Sequence, residues 1–310
     1  MSTMPTGRPT LAHEALFYRD TIEYATRLGA FVAASLEAGR PVLVAIPADR
    51  LGVVTRQLGD PGPDLETVDM TELGRNPGRI LPAVHAFVDS HQGRAVSFVG
   101  EPIWPGRNPA EVAEATRYEA LINRALANTP LHALCPYQVD ALPSAILSDA
   151  YRTHPLVRLN GQQKDSDSFA DPELVWRSVT HLPPPPPNAI TVVFDARSLA
   201  AVREAVQAQS ELAHLPAERI DDLVVATSEV AGNSIRHAGG SGTLQTWARP
   251  EAVVCEVRDR GHLTDPLVGR SRPGPVAERG WGLWLANQLC DLVQLHSGTN
   301  GTTVRLHIRR

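Results

Sequence analysis

The chain has 310 residues, enough for about two domains at roughly 150 residues each, and its 43% hydrophobic content is ordinary for a protein that buries a core. Its formal net charge of −5 does not mark it as a nucleic-acid or membrane binder. Lys164, in the segment NGQQKDSDS, is the only lysine, so no Walker A loop is present and the P-loop ATPases are excluded.

Cysteine usage and the apolar stretches indicate a cellular setting. Cys135, Cys255 and Cys290 are widely spaced and form no CxxC pair, which predicts a reducing compartment and no zinc site. The opening segment MSTMPTGRPT lacks the apolar core of a signal peptide, and no stretch approaches the ~18 apolar residues of a membrane span. We therefore expect a soluble, cytoplasmic protein without a membrane or direct nucleic-acid partner.

The first part of the chain alternates between buried-strand and helix patterns. Apolar runs predict strands over 41–47, 94–102 and 131–137, and helices over 76–92 and 109–128. This alternation predicts an α/β fold with a mostly parallel sheet covered by helices. Ligands of such sheets bind beyond the carboxyl ends of the strands, which here means residues 47–49, 101–104 and 135–137.

A proline run divides the chain. Pro183 to Pro187 cannot form a helix or a central strand, and they predict a polyproline II spacer of about 15 Å. The polar segment NGQQKDSDS before it is predicted to be an exposed loop. We place a linker at 158–188, and the sequence leaves open whether the prolines also bind a partner.

The second part has a different order of elements. It predicts a strand over 190–195, helices over 198–213 and 217–238, strands over 243–249 and 252–258, a long loop, a helix over 280–290, and strands over 292–297 and 302–309. Helices combined with an antiparallel type of sheet predict a two-layer α/β sandwich.

The helix over 217–238 concentrates polar residues on one face. At 100° per residue, Asp222, Asn233, Arg236 and His237 fall within about 80° of Glu229, and apolar residues occupy the opposite side. Such a face contacts either water or a ligand, and the helix alone does not decide between them. We expect His237 to pack structurally near the helix end.

The segments that follow this helix favour a ligand. A predicted strand ends in DRG, where a carboxylate followed by glycine can reach a ligand without obstruction. A long loop with little apolar periodicity is predicted to be a mobile flap, and the next helix opens with glycines that leave backbone N–H groups free for phosphate. The residues concerned are Asp259 and Gly261, the loop arginines Arg270, Arg272 and Arg279, Gly280 and Gly282, and Gly301, Thr302 and Thr303 at the start of the last strand.

This order of motifs over 190–310 resembles the GHKL (Bergerat-fold) ATPases, and within them most closely the anti-sigma-factor serine kinases. Histidine-kinase catalytic domains share the nucleotide site, but the chain shows no convincing dimerisation helix with a phosphoacceptor histidine. The resemblance implies a Bergerat-type sandwich that binds ATP and Mg²⁺, and members of the family often form homodimers.

The resemblance also implies roles for individual residues. Asn233 would hold Mg²⁺, Glu229 would be the general base for a serine hydroxyl, and Asp259 would accept a hydrogen bond from the adenine amino group. Close approach of the nucleotide would be allowed at three glycines, and one of two threonines would hold the adenine side; these are Gly261, Gly280 and Gly282, and Thr302 or Thr303. The family often has DxGxG, whereas this chain has Leu263 at the last position, which leaves retention of kinase activity open.

The first part carries a second resemblance. HEALFY (13–18), GEPIWPGR (100–107), YEALINRAL and LCPY together resemble the MEDS-type sensory domain over 11–157, which is RecA-like and lacks a working Walker A. A candidate sensory pocket above the sheet would contain His13, Glu101, Trp104, Glu119, Cys135 and Tyr137. The alternative is that EPIWPG is a rigid turn and that His13 caps a helix.

Together these resemblances predict a cytoplasmic transcription regulator with a sensory domain (11–157), a linker (158–188) and a GHKL ATPase domain (189–310). The ATPase domain would be a protein serine/threonine kinase that phosphorylates an anti-sigma antagonist, sequesters a sigma factor, or does both. One alternative is a non-catalytic, nucleotide-gated module that sequesters a protein partner, and another is a remnant of a sensor histidine kinase.

Overall fold

The computed structural model describes residues 10–56, 62–178, 182–271, 273 and 280–310. The chain divides into two units between residues 179 and 180, a position inside the predicted linker. Each unit has its own sheet and its own buried core.

A seven-stranded sheet forms the first unit, in the order β3-β2-β4-β5-β1-β6-β7. All neighbours pair in parallel except β6 and β7, which are antiparallel. The strands are β1 (Ala12–Tyr18), β2 (Val42–Ile46), β3 (Leu65–Asp69), β4 (Val96–Gly100), β5 (Leu131–Gln138), β6 (Leu156–Leu159) and β7 (Gln162–Asp165). The helices are α1 (Thr21–Glu37), α2 (Ala48–Thr55), α3 (Met70–Leu73), α4 (Ile80–Ser90), α5 (Pro109–Ala125), α6 (Ser144–Thr153) and α7 (Pro172–Ser178), with a 3₁₀ turn at Pro77–Arg79.

The central strands of this sheet are buried on both faces. Every residue of β2 and β4 is buried, which explains their continuous apolar sequences. Alternate residues of β1 serve two separate cores: Leu16 packs with residues of α1 and β2, whereas Ala15 and Phe17 pack with Cys135 and with residues of α5 and α6. The predicted mostly parallel, helix-covered sheet is confirmed.

Two local interpretations of the first part were wrong. His13 lies within β1, in the interior of the sheet, and therefore does not cap a helix. Residues 162–165 of the supposed loop NGQQKDSDS form the edge strand β7, which pairs with β6 across a turn at Asn160 and Gly161, both at positive φ. All four residues of β7 are exposed, so the strand has no apolar alternation to announce it.

Five antiparallel strands form the sheet of the second unit, in the order β11-β12-β10-β9-β8. The strands are β8 (Ile190–Asp195), β9 (Ser241–Ala248), β10 (Ala252–Asp259), β11 (Leu292–Gly298) and β12 (Gly301–Arg309), and the helices are α8 (Leu199–Leu212), α9 (Ala217–His237) and α10 (Trp281–Leu289). The helix α9 packs between α8 and α10 and against β9, β10 and β12. This arrangement confirms the predicted two-layer α/β sandwich, and Pro183–Pro187 lie outside helix and strand, as predicted.

Candidate functional site

Two adjoining cavities lie between α9, the carboxyl end of β10, the start of α10 and the start of β12. One has a volume of about 400 Å³ and is mostly apolar, and the other has a volume of about 610 Å³ and is mostly polar. They share Asn233, His237 and Gly280. The apolar cavity is also lined by Val230, Ala238, Asp259, Gly261, His262, Leu263, Val268, Leu283, Thr302 and Val304, and the polar cavity by Glu229, Arg236, Trp281 and Gly282.

A fixed carboxylate stands in the apolar cavity. Ser234 Oγ of α9 donates to Asp259 Oδ2 at 2.6 Å, and the backbone N–H of Gly261 donates to Asp259 Oδ1 at 2.8 Å. An ionised carboxylate has about four acceptor positions, so both oxygens retain capacity for a further donor. Asp259 is therefore held in one orientation while it can still accept a hydrogen bond from a ligand.

The glycine after this carboxylate lets the strand end lie against α9. A Cβ on Gly261 would be 2.7 Å from Cβ of Ala238, a separation that side chains do not adopt. The carbonyl of Gly261 accepts from Thr302 Oγ1 at 2.8 Å, and this hydroxyl lies 3.0 Å from Ser297 Oγ. Ser297 Oγ in turn accepts from the backbone N–H of Leu263 at 2.9 Å, which ties the beginning of the long loop to β11 and β12.

The structure separates the two candidate threonines. Thr302 pairs with Asp259 across the β10–β12 ladder and lines the apolar cavity. Thr303 is the next residue of β12, so its side chain projects from the opposite face of the sheet. Of the alternatives Thr302 or Thr303, only Thr302 is positioned to contact a ligand in this cavity.

Glu229 and Asn233 lie one turn apart on α9 and face the start of α10. A Cβ on Gly282 would be 2.8 Å from Asn233 Nδ2 and 3.1 Å from Glu229 Oε2, so glycine is what permits this close approach. Asn233 Oδ1 accepts from Arg236 Nη2 at 2.9 Å. An amide oxygen has two lone pairs, so Asn233 Oδ1 retains acceptor capacity for a ligand.

The amino end of α10 opens into the polar cavity. Gly280 is its N-cap, with φ of 96°, a value that glycine adopts without strain. Trp281 and Gly282, in the first turn of the helix, line the cavity. Backbone N–H groups at such a helix start attract anions, phosphate above all.

The other predicted residues of this unit have mixed outcomes. Arg270 is buried, and Arg272 and Arg279 lie outside the described residues. His237 is exposed and lines both cavities, so the expectation that it packs structurally was wrong. Ser234, which orients Asp259, was missed because a serine inside a helix carries no distinctive spacing signal.

The candidate pocket of the first unit does not form as one group. His13, Cys135 and Tyr137 lie on the face of the sheet covered by α5, where all three approach Glu119. Glu101 follows β4 and contacts a different set of side chains, those of Tyr18, Tyr24 and Arg50. The ring of Trp104 has its centroid 4.4 Å from the guanidinium carbon of Arg107.

The separation has a simple geometric origin. Tyr18 and Tyr137 point to opposite faces of the sheet, because they occupy neighbouring strands at positions of opposite parity: Phe17, not Tyr18, pairs with Tyr137. Burial raises the pKa of Glu101 to about 7 against the opposing charge of Arg50. Burial, together with the Glu101 charge, raises the pKa of Tyr24 above its usual value.

Comparison with known proteins assigns a family to each unit. Residues 12–155 match the MEDS family (methanogen/methylotroph, DcmR sensory domain), and residues 192–308 match the histidine kinase-like ATPase domain. The chain therefore contains a MEDS domain followed by a histidine kinase-like ATPase domain, as the two sequence resemblances predicted.

Among solved structures, the chain is similar to the RsbU and RsbW domains of Rv1364c from Mycobacterium tuberculosis, with 20% identity and a TM-score of 0.31. The match covers 66% of this chain and 49% of that one, so it spans about half the length of the solved structure. No curated protein matches the chain. Within the described residues, none of the helices has both the length and the apolar character that a membrane crossing requires.

Proposed function

We propose that the second unit binds ATP with Mg²⁺ and transfers the terminal phosphoryl group to a serine of a partner protein. The observation that carries this proposal is the meeting of two unlike cavities at Asn233, one apolar with a fixed carboxylate and one polar beside a helix start. A nucleotide has the same division, with a flat base at one end and an anionic chain at the other. The match to the histidine kinase-like ATPase domain supports ATP binding.

The apolar cavity suits the adenine base. Val230, Leu283 and Val304 provide apolar contact area, and Asp259 provides an acceptor for the exocyclic amino group. Since Ser234 and Gly261 already hold the carboxylate, little side-chain entropy is lost when the base binds. Adenine carries an amino group where guanine carries a carbonyl, so an acceptor at this position favours adenine.

The polar cavity suits the phosphates and Mg²⁺. The amide oxygen of Asn233 is the type of hard, neutral ligand that Mg²⁺ accepts, and the N–H groups of the first turn of α10 can contact phosphate oxygens. The bound ion would neutralise charge on the transferring phosphoryl group. The absence of a Cβ at Gly282 keeps the space beside Asn233 and Glu229 open.

Glu229 is the proposed general base. It lines the polar cavity one helical turn from Asn233, within the same space as the phosphates. In the proposed step the serine Oγ forms a bond to the γ-phosphorus, the bond from that phosphorus to the β,γ-bridging oxygen breaks, and ADP leaves. The serine proton moves to the Glu229 carboxylate.

The partner and the role of the first unit follow from the two resemblances. Because the motifs of the second unit resemble those of anti-sigma-factor serine kinases, we propose an anti-sigma antagonist as the phosphorylated partner and a sigma factor as the protein that is sequestered. The description of the MEDS family as sensory supports a regulatory role for the first unit.

One observation favours a second candidate function. Leu263 replaces a glycine of the family pattern, and it lines the apolar cavity while its N–H is tied to Ser297. A loop held in this way favours a nucleotide-gated module that sequesters a protein without phosphoryl transfer. The histidine-kinase alternative would instead produce acid-labile autophosphorylation.

Phosphoryl transfer from labelled ATP to an anti-sigma antagonist of the same organism separates these functions. Wild type should give acid-stable phosphoserine, and Glu229→Gln should lower the transfer rate by about 100-fold or more while ATP affinity changes little. Asp221→Asn is the matched control, since Asp221 is an exposed carboxylate of the same helix outside both cavities. Tight ATP binding by wild type without any transfer would instead support the sequestering module.

A further inference from the structure

The first unit contains a fully buried cluster of four side chains with metal-ligating atoms. His13 comes from β1, Cys135 from β5, Glu119 from α5, and His154 directly follows α6. All four residues are 0% exposed, and one ligand atom from each lies within 4.8 Å of every other. They are separated by as many as 141 residues in the chain, since the cluster joins positions 13 and 154.

The hydrogen bonds of His13 fix which of its nitrogens carries the proton. The amide nitrogen of Asn123 donates to the carbonyls of Glu119, Ala120 and Thr153, so Asn123 Oδ1 is left as an acceptor. This oxygen lies 3.0 Å from His13 Nδ1, which must therefore be the protonated nitrogen. In a neutral ring, Nε2 then presents a lone pair to the cluster.

His154 is held in the same way. Its Nδ1 lies 2.8 Å from the carbonyl oxygen of Ala150, an acceptor only, so Nδ1 carries the proton here as well. Its Nε2 is buried and has no hydrogen-bond partner among the described residues.

Three acceptor atoms, Nε2 of His13, Nε2 of His154 and Oε2 of Glu119, therefore converge beside the Cys135 thiol, which donates to Glu119 Oε2. Glu119 Oε2 lies 3.1 Å from Nε2 of His13 and 3.5 Å from Nε2 of His154. Cys135 Sγ lies 3.5 Å from both His13 Nε2 and Glu119 Oε2. No lysine or arginine is among the hydrogen-bonded or ion-paired partners of this group in the described structure.

We propose that His13, Glu119, Cys135 and His154 bind one divalent transition metal ion, with Zn²⁺ as the best fit. Ligand distances of about 2.0–2.3 Å in a tetrahedral site place neighbouring donor atoms about 3.3–3.6 Å apart. Four of the six separations between the ligand atoms are 3.1 to 3.5 Å, close to that requirement, and the other two are within 4.8 Å. Two neutral histidines, one carboxylate and one thiolate also neutralise a charge of +2.

The surrounding hydrogen bonds are those that a metal site uses. Ligating histidines usually donate their second N–H to a carbonyl or carboxylate, as His13 does to Asn123 and His154 to Ala150. Tyr137 Oη donates to Glu119 Oε1 at 3.3 Å, which leaves Oε2 to face the two histidines. The spacing of the cysteines, which predicted no zinc site, could not indicate this cluster because its ligands come from four separate segments of the chain.

Cobalt substitution of the full-length protein tests this site. Protein stripped with a chelator under reducing conditions should bind one equivalent of Co²⁺ and develop intense visible bands and a thiolate-to-cobalt charge-transfer band, both lost when Zn²⁺ is added. Cys135→Ser should remove the charge-transfer band. Cys255→Ser, which alters a buried thiol of the second unit, should leave it unchanged.

A second variant tests the outer hydrogen bonds. Asn123→Ala removes the acceptor for His13 Nδ1 and should weaken Co²⁺ binding by about 10- to 100-fold without removing the charge-transfer band. A purely structural role of Asn123 would not give this combination.

Two results would overturn the proposal. One is wild-type protein that binds less than one equivalent of Co²⁺ or Zn²⁺ at micromolar concentration, which would mean that protons alone occupy the cluster. The other is a charge-transfer band that survives in Cys135→Ser. If Cys135→Ser does not fold, X-ray absorption at the zinc edge of the wild-type protein decides, since a shell without sulfur would contradict the site.

Discussion

At the scale of residues, the candidate nucleotide site depends on close approaches that only glycine permits. Gly261 and Gly282 each lie where a Cβ would contact another side chain at less than 3 Å. The sequence revealed these positions because glycines stood next to Asp259 and at a helix start. It could not reveal Ser234 or His154, because serine and histidine at single positions have no periodic or spacing signature and acquire their partners only through the fold.

Substitution of Gly282 should separate nucleotide binding from folding. In Gly282→Ala the new Cβ lies 2.8 Å from Asn233 Nδ2, so either Asn233 or Glu229 must move. We expect at least about a tenfold loss of Mg·ATP affinity, equivalent to ~1.4 kcal/mol, with little change in melting temperature. Calorimetry checks the affinity and circular dichroism the fold.

The matched control is Gly52→Ala, in the exposed part of α2, where a Cβ meets nothing within 4 Å. This variant should bind Mg·ATP like wild type. Equal affinity of Gly282→Ala and wild type would show that the ligand does not use the space beside Asn233.

At the scale of elements, the second unit was the easier part to predict. The ends of its three helices and five strands agree with the sequence predictions to within two residues, because each element has clear apolar periodicity and a turn at each end. In the first unit β1, β3, β6 and β7 were not predicted as strands. β1 lies in the interior of the sheet and begins with polar residues, and β7 is an exposed edge strand, so neither shows an alternating pattern.

His307, in strand β12, should make the free energy of unfolding depend on pH. Burial, followed by the charges of Arg305 and Arg249, lowers the pKa of His307 to about 3. As pH falls, the histidine of the unfolded chain, with a pKa of ~6.5, is protonated before His307 of the folded chain. The stability that the neutral His307 ring provides is therefore complete above pH ~6.5 and is lost progressively as pH falls from there towards the folded pKa of about 3. At pH ~5 the loss should be about 2 kcal/mol.

Replacement of the ring isolates this contribution. His307→Gln, measured by urea unfolding at pH 8 and pH 5, should lose less stability on acidification than wild type does. The glutamine side chain retains a polar partner for Gln294, whose Oε1 lies 3.1 Å from His307 Nε2. Parallel losses in the two proteins would show that His307 titrates normally in the folded state.

At the scale of the whole molecule, the residues of the candidate nucleotide site all belong to the second unit. The lining of both cavities falls between Glu229 and Val304. The proline run predicted a border between two domains. The strands β6 and β7 and the helix α7, which lie within 156–178, could not be predicted from a largely polar stretch. These elements complete the first unit, since β6 pairs with β1 and α7 packs against α5.

A fragment of the chain tests this allocation. Residues 182–310 contain the whole five-stranded sheet, its three helices and Pro183, whose carbonyl accepts from Arg305 Nη2 at 2.6 Å. We expect the fragment to unfold cooperatively and to bind Mg·ATP within about threefold of the full-length affinity, a difference below ~0.7 kcal/mol. A folded fragment that fails to bind would place part of the site in the first unit.

Calorimetric titration of ATP, with and without Mg²⁺, into wild type, Asn233→Ala and Asp259→Asn tests the proposed nucleotide site most directly. We expect that wild type binds ATP more tightly with Mg²⁺, that Asn233→Ala loses this dependence on Mg²⁺, and that Asp259→Asn weakens binding both with and without the ion. Absence of binding by wild type at millimolar ATP, or equal Mg²⁺ dependence in wild type and Asn233→Ala, would contradict the proposed site.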